Sequence, residues 1–296
     1  MAKWVLAACV LAFAGGCLAR LTLRPDGYGC ERDSDCAGLR CVSGLCASYP
    51  EGDGGLADAG SRPGPTNTGV PPGTVLTPAG SMSITANGSV LDGLDIQGCL
   101  RVYANNVTVR RSRIRGNCTL GIEIVEPAQN LLLEDVEIDG SPNSPFQSAA
   151  VASGNFIARR LDLHGFSHAA RLTGDAELHD SYVHDMRGDD DVVQMLSGAN
   201  VLIQNNRFEH AMKNKGVITL ESDFGATTNV RVLDNYLNGG NPTVYVGEKN
   251  GFPIRAVHIE GNRFGRDFVG APVRLGPGEI FWVNNVFDDT GELITP

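Results

Sequence analysis

The chain has 296 residues, enough for one large domain or two small ones, and sets 24 Lys and Arg against 34 Asp and Glu for a formal net charge of -10. An acidic balance of this kind keeps a folded protein soluble and repels a phosphate backbone, which excludes nucleic acid as the natural partner.

Residues 1–16 carry the pattern of an export signal: Lys3, an apolar run from Trp4 to Ala14, then Gly15-Gly16 before Cys17. The run falls short of the roughly 20 apolar residues that span a bilayer, so the mature protein is expected to have no transmembrane helix. Small residues ending on a cysteine resemble a lipoprotein signal, which implies lipidation of Cys17. Leu6-Ala7-Ala8-Cys9 offers Cys9 as the alternative, and cleavage with plain secretion is the other reading. The expected location is the cell envelope, with the membrane reached through the lipid alone and 17–29 as a tether. In 30–46, Cys30, Cys36, Cys41 and Cys46 crowd together, and an exported chain makes such density a disulfide module whose pairing stays open. Zinc is the competing reading, but no CxxC pair is present. Residues 47–73, rich in Gly, Pro, Ser, Thr and Asp, read as a flexible linker.

From 74 to 296 one template recurs: Asn106-Val-Thr-Val-Arg-Arg-Ser-Arg-Ile-Arg-Gly, Asn130-Leu-Leu-Leu-Glu-Asp-Val-Glu-Ile-Asp-Gly and Asn155-Phe-Ile-Ala-Arg-Arg-Leu-Asp-Leu-His-Gly. Further copies start at Asp175, Asn200, Asn229, Ala256 and Glu279, with a degenerate first copy near Gly88. Apolar residues alternate with period two and no stretch shows a helical period. One such unit cannot bury its own apolar face, so the copies must stack, which predicts an all-β, single-stranded parallel β-helix of about nine coils. Stacking predicts ladders. Asn206, Asn235, Asn262 and Asn285 share the seventh position, where a bend needs amides. Cys99 and Cys118 fall near equivalent positions on neighbouring coils, which predicts a disulfide closing the N-terminal end.

A second strand follows each template copy, and its middle residues form a row: Arg101, Glu123, Arg171, Gln194, Thr219, Tyr245 and Arg274. Three arginines, an aromatic ring and hydrogen-bonding side chains on an acidic protein suit an extended, anionic sugar chain; ordinary solubilising residues are the alternative. Asp189-Asp190-Asp191-Val-Val-Gln194 lies between copies bearing His168 and Arg171 and copies bearing Lys213 and Lys215. Carboxylates this close can hold Ca²⁺ or share a proton, while Lys215, Arg171 or His168 could take the proton beside a uronate carboxylate, which is β-elimination. A glycoside hydrolase would use the same carboxylates as acid and base. His164, His179, His184, His210 and His258 carry little signal alone.

Residues from about 74 to the end resemble the pectate-lyase-like right-handed parallel β-helix proteins, in particular an exported bacterial group. The motifs are Asp95-Ile-Gln-Gly-Cys99, Glu134-Asp-Val-Glu-Ile-Asp-Gly140, Asn262-Arg-Phe-Gly265 and Asn284-Asn-Val-Phe-Asp-Asp289. The group often carries His-x-Asp-x-x-Gln in a central coil; here Asp189 stands in place of the histidine, while Asp191 and Gln194 match. The resemblance implies a right-handed solenoid that handles polysaccharide. The expected function is polysaccharide binding by a monomer, with lyase action at Asp191, Asp190, Arg171, Lys215 and His168 and sugar contacts at Gln194, Thr219, Tyr245, Arg101 and Arg274. Ca²⁺ would sit at Asp189, Asp190 and Asp191. The rivals are a non-catalytic glycan adhesin and a structural envelope component.

Overall fold

The computed structural model describes Arg40–Val42, Leu45–Ala47 and residues 62–296 apart from 143, 144, 189, 212 and 213. The expected export signal, Cys9, Cys17, Cys30, Cys36 and the first part of the linker lie outside the described residues. The chain divides into two compact units, Met1–Ala59 and Gly60–Pro296. In the first, Arg40–Val42 and Leu45–Ala47 form an antiparallel hairpin that sets Cys41 opposite Cys46.

The described part of the second unit is built from strands, with no helix, and is a parallel β-solenoid. One sheet has nine strands, running from Val90–Asp92 through Thr108–Arg110, Leu131–Glu134, Phe156–Arg159, Ala176–His179, Gly198–Gln204, Thr227–Leu233 and Ile254–Glu260 to Ile280–Val283. A second face stacks Arg113–Arg115, Glu137–Asp139, Asp162–His164, Tyr182–Val183, Arg207–His210, Tyr236–Gly239, Arg263–Phe264 and Val286–Phe287. A third stacks Leu120–Ile124, Ala149–Ser153, His168–Leu172, Val193–Met195, Ile218–Glu221, Val244–Gly247 and Val273–Leu275. At the N-terminal end Thr77–Ile84 and Leu94–Val102 run unbroken across both faces. The nine template copies thus give seven turns with three separate strands, flanked by that fused first turn and by a last turn lacking its third strand.

Two backbone positions shape each turn. The first template residue, Asn106, Asn130, Asn155, Asp175, Asn200, Asn229 or Ala256, has φ between 46 and 62°, and the sixth has φ between 46 and 55° where it carries a side chain, as at Asp135, Asp180, Asn205, Asp234 and Asn284, and 67 and 68° at Gly93 and Gly261. Left-handed backbone is costly for most side chains and tolerated best by Asn and Asp, which explains their recurrence there. The side chain after the second bend points inward, and Asn206, Asn235, Asn262 and Asn285 are all buried there. Each of the first three amides donates to the next asparagine's Oδ1 at 2.9 to 3.0 Å. All four also donate to a strand carbonyl of the preceding coil, as Asn235 does to Ile203 at 2.9 Å. The expected ladder is therefore present and satisfied. Between the faces lie stacks such as Val109, Leu133, Ala158, Leu178, Ile203, Val232 and Ile259, all buried, each large aliphatic side chain worth roughly 1.5–3 kcal/mol on leaving water.

The expected disulfide joins Cys99 to Cys118, with Cα atoms 5.8 Å apart. Residues 62–73, read from the sequence as linker, are not free of the solenoid. Arg62 pairs with Asp288 and its guanidinium lies 4.4 Å over the Tyr236 ring, Thr68 is buried, and the Gly69 amide donates to the Arg160 carbonyl at 2.8 Å. Gly69 has φ of 71°, and a Cβ there would stand 2.8 Å from the Asp162 Cβ, so the segment passes too close for any side chain. The strap ends beside Gly93, whose carbonyl accepts from Thr77 at 2.8 Å. It therefore runs back along the second face from the last coils to the first. Fourteen extended residues reach about 45 Å and nine strands stack over about 38 Å, so the length suffices.

Candidate functional site

The third face carries the row expected from the sequence. Its register pairs Ser83 with Arg101, Arg101 with Glu123, Glu123 with Ala152, Ala152 with Arg171, Arg171 with Gln194, Gln194 with Thr219, Thr219 with Tyr245 and Tyr245 with Arg274. The sequence reading skipped Ala152, because a longer insertion before Ala149 hides the repeat in that coil. Period-two alternation directs these side chains away from the core, whose walls here are Ile122, Ala170, Val193, Met195, Ile218, Leu220, Val244 and Val246.

Exposure along the row is uneven. Arg101, Arg171 and Arg274 are exposed and Glu123, Gln194 and Tyr245 half-buried, but Thr219 is only 5% exposed, so it does not face solvent as the alternation suggested. The loop that enters its own strand covers it: a Cβ on Gly216 would lie 2.7 Å from the Thr219 hydroxyl. The arginines also differ. Arg101 is spent on Glu123 at 2.8 Å, whereas Arg171 and Arg274 have no ion pair among the described residues. At the two ends of a Gln-Thr-Tyr stretch, they stand four strand spacings apart, about 19 Å.

Beside Arg171 the acidic segment takes shape. Asp191 is 8% exposed, and its oxygens accept from the Gly216 amide at 2.8 Å and the Gln194 side chain at 3.3 Å. This carboxylate holds the loop entering the next coil, and with it the backbone of Lys215, whose side chain is exposed. His168, 2% exposed, places Nδ1 2.5 Å from the Asp191 carbonyl, which fixes that nitrogen as donor and leaves Nε2 as the basic one. Burial holds the imidazole below its ordinary pKa, so it is neutral near pH 7. Nε2 lies 3.9 Å from Asp190 Oδ2, a buried oxygen without a hydrogen-bond partner among the described residues. Asp189 and Lys213 are outside the described residues. The structure therefore brings His168, Asp190, Asp191, Gln194 and Arg171 together, with Lys215 beside them, and sets Arg101 and Arg274 at a distance along the row.

A second ionic group on this face was not anticipated. Glu221, two residues after Thr219 on the same side of its strand, pairs with Lys249 at 2.6 Å, and Asp223 stands 3.9 Å from the same ammonium. Burial holds the Glu221 carboxyl above its ordinary pKa against the pull of Lys249. Glu221 is opposite Gly247, and the Tyr245 hydroxyl lies over that glycine, 2.9 Å from where a Cβ would be. The spacing Thr219-x-Glu221 contained this signal; the loop that returns Lys249 did not. Phe146 and Phe224, both exposed, flank the same face on its entering and leaving loops.

No protein-family model, no curated protein and no solved structure matches the chain. The resemblance to pectate-lyase-like proteins thus stands at the coarser level of a parallel β-solenoid, a scaffold compatible with polysaccharide binding or cleavage but tied to neither.

Proposed function

We propose that the third face binds an extended, anionic polysaccharide, lying across the strands so that successive sugars meet successive coils. The observation that carries this reading is the register itself: Arg171, Gln194, Thr219, Tyr245 and Arg274 follow one another at single-strand steps, with a guanidinium at each end that has no ion pair among the described residues. A planar guanidinium offers a carboxylate two parallel hydrogen bonds. The neutral amide and the phenol between them suit hydroxyl groups, and two exposed arginines on one face of an acidic protein select for anionic sugars. Export and lipidation at Cys17 would present this face at the cell envelope. Ca²⁺ at Asp190 and Asp191 belongs to the same proposal, although Asp191 would have to share oxygens that already hold Gly216 and Gln194.

Binding is tested by titrating the purified chain with uronate polymers and with neutral glucans of equal length. The expected result is salt-sensitive binding of the uronate polymers alone, weakened at least about tenfold in Arg171→Ala/Arg274→Ala and little changed in Arg101→Ala. Equal affinity for neutral and acidic chains, or no binding to either, overturns the proposal. Lyase action is the second reading, favoured by Arg171, which has no ion pair among the described residues, standing beside the buried His168 and the half-buried Asp190. It requires ultraviolet absorbance of unsaturated uronate to grow with time in the native protein and not in Arg171→Ala.

A further inference from the structure

The second face carries a cluster that the glycan reading does not use. Glu137 and Asp139, Asp162 and His164, and Tyr182 and His184 occupy the outward positions of three consecutive coils, with Glu137 in register with Asp162 and Asp139 with His164. His184 follows Val183, and its amide donates to the Leu163 carbonyl at 3.1 Å, which keeps it at the level of His164. The imidazoles of His164 and His184 stack with centroids 4.9 Å apart, and Tyr182 covers His184 at 4.4 Å. One ligand atom each from Asp162, His164 and His184 lie within 4.8 Å of one another.

The geometry points to a divalent transition-metal site of the zinc class, with Asp162, His164 and His184 as protein ligands. Two imidazoles and a carboxylate are the donor types such an ion prefers, and three ligands leave one position for water or for Glu137. Ligand atoms sharing one zinc ion sit about 3.3–4 Å apart, so closure needs a shift below about 1 Å. The surroundings are an independent argument. His184 directs Nε2 at Asp162 (2.8 Å) and Nδ1 at Asp185 (2.7 Å), so the nitrogen that does not meet the ion is already oriented by a carboxylate. His164 is arranged likewise: its nitrogens face Asp139 at 3.2 Å and Glu137 at 3.6 Å, so whichever turns to the ion, the other keeps an acidic partner. Carboxylates behind metal-bound imidazoles fix the ring and strengthen the ligand. The strap completes the enclosure, since Gly69 packs on the Cβ of Asp162. All three proposed ligand side chains are no more than 21% exposed. An ion held there would pin three coils and the strap at one point.

The test is titration of the full-length protein with Zn²⁺ against a chromogenic chelator, repeated with Co²⁺ for its visible spectrum. The expected result is one tight site per chain, weakened at least about tenfold in His184→Gln and in His164→Gln, and also weakened in Asp185→Asn, which removes only the carboxylate behind the ring. Binding undiminished in His164→Gln/His184→Gln, or the absence of saturable binding in the native chain, overturns the site. If the histidine variants fail to fold, the Co²⁺ spectrum of the native protein decides. Nitrogen and oxygen ligation without thiolate charge transfer supports the site, and thiolate bands overturn it by moving the ion to the cysteines.

Discussion

The second and third faces of the solenoid are built from the same repeat, yet they treat charge in opposite ways. On the second, nearly every ionisable side chain is met by a neighbour: Arg115 by Asp95, Arg113 by Glu137, His164 by Asp139, His184 by Asp162, Arg207 by Glu209 and Arg263 by Asp288. A strap is laid along that face as well. On the third, Arg101 pairs with Glu123 within the row, and Arg171 and Arg274 have no ion pair among the described residues. The contrast teaches that strand register alone does not make a binding surface. What distinguishes the open face is charge left without an internal partner.

The closed face can be broken where the strap touches it most tightly. Gly69→Val forces a branched side chain into positive φ and against Asp162, at an expected cost of about 3 kcal/mol. Urea unfolding would report the loss, and tryptic cleavage after Arg62 should accelerate while the far-ultraviolet spectrum keeps its strand signature. On the open face, Asp191→Ala leaves the buried Gly216 amide without its acceptor and should cost about 1–3 kcal/mol. If Asp191 serves the loop rather than the sugar, uronate binding at saturating protein stability stays within about twofold of native; a collapse of binding in a folded variant would return Asp191 to the site.

A smaller effect separates His168 from the histidines of the other face. Its folded pKa lies below the ordinary 6.5, because burial disfavours the charged ring. The contribution of the neutral ring to stability is complete above 6.5 and is lost as pH falls, since the unfolded chain takes the proton first. His184 behaves in the opposite sense: Asp162 and Asp185 outweigh its burial and hold its pKa above 6.5, so its contribution is complete below 6.5 and fades at higher pH. Unfolding measured between pH 7.5 and 5 should show a shallower acid loss in His168→Gln than in the native protein. The smallest effect is reserved for the pair within the row: Arg101→Ala breaks an exposed ion pair with Glu123 and should change stability by less than about 0.5 kcal/mol in a thermal melt.

The fold was legible because its repeat writes itself in residue types. Asn and Asp recur where the backbone must be left-handed, and alternating aliphatics recur where strands face inward, so the asparagine ladder, the Cys99–Cys118 bond and the row apart from Ala152 could be placed by counting. Other features left weaker traces. The strap holds on through backbone groups, one buried threonine and a glycine, which by composition look like an unstructured linker. Asp191 reads as chemistry in a run of three aspartates, and only the position of the Gly216 amide reveals its structural duty. His164 and His184 are about 20 residues apart in sequence and meet only through the stacking of coils, so neither signals the other.

The direction of the strap has a mechanical consequence. Because residues 62–75 run back from the last coils to the first, a pull on the chain ahead of Arg62 does not reach Thr77–Ile84 directly. The load falls first on the Arg62 contacts with Asp288 and Tyr236, and peeling then advances contact by contact toward Gly93. A force applied from the N-terminal side would meet this graded fastening, and the stacked coils would feel it only after the fastening had opened.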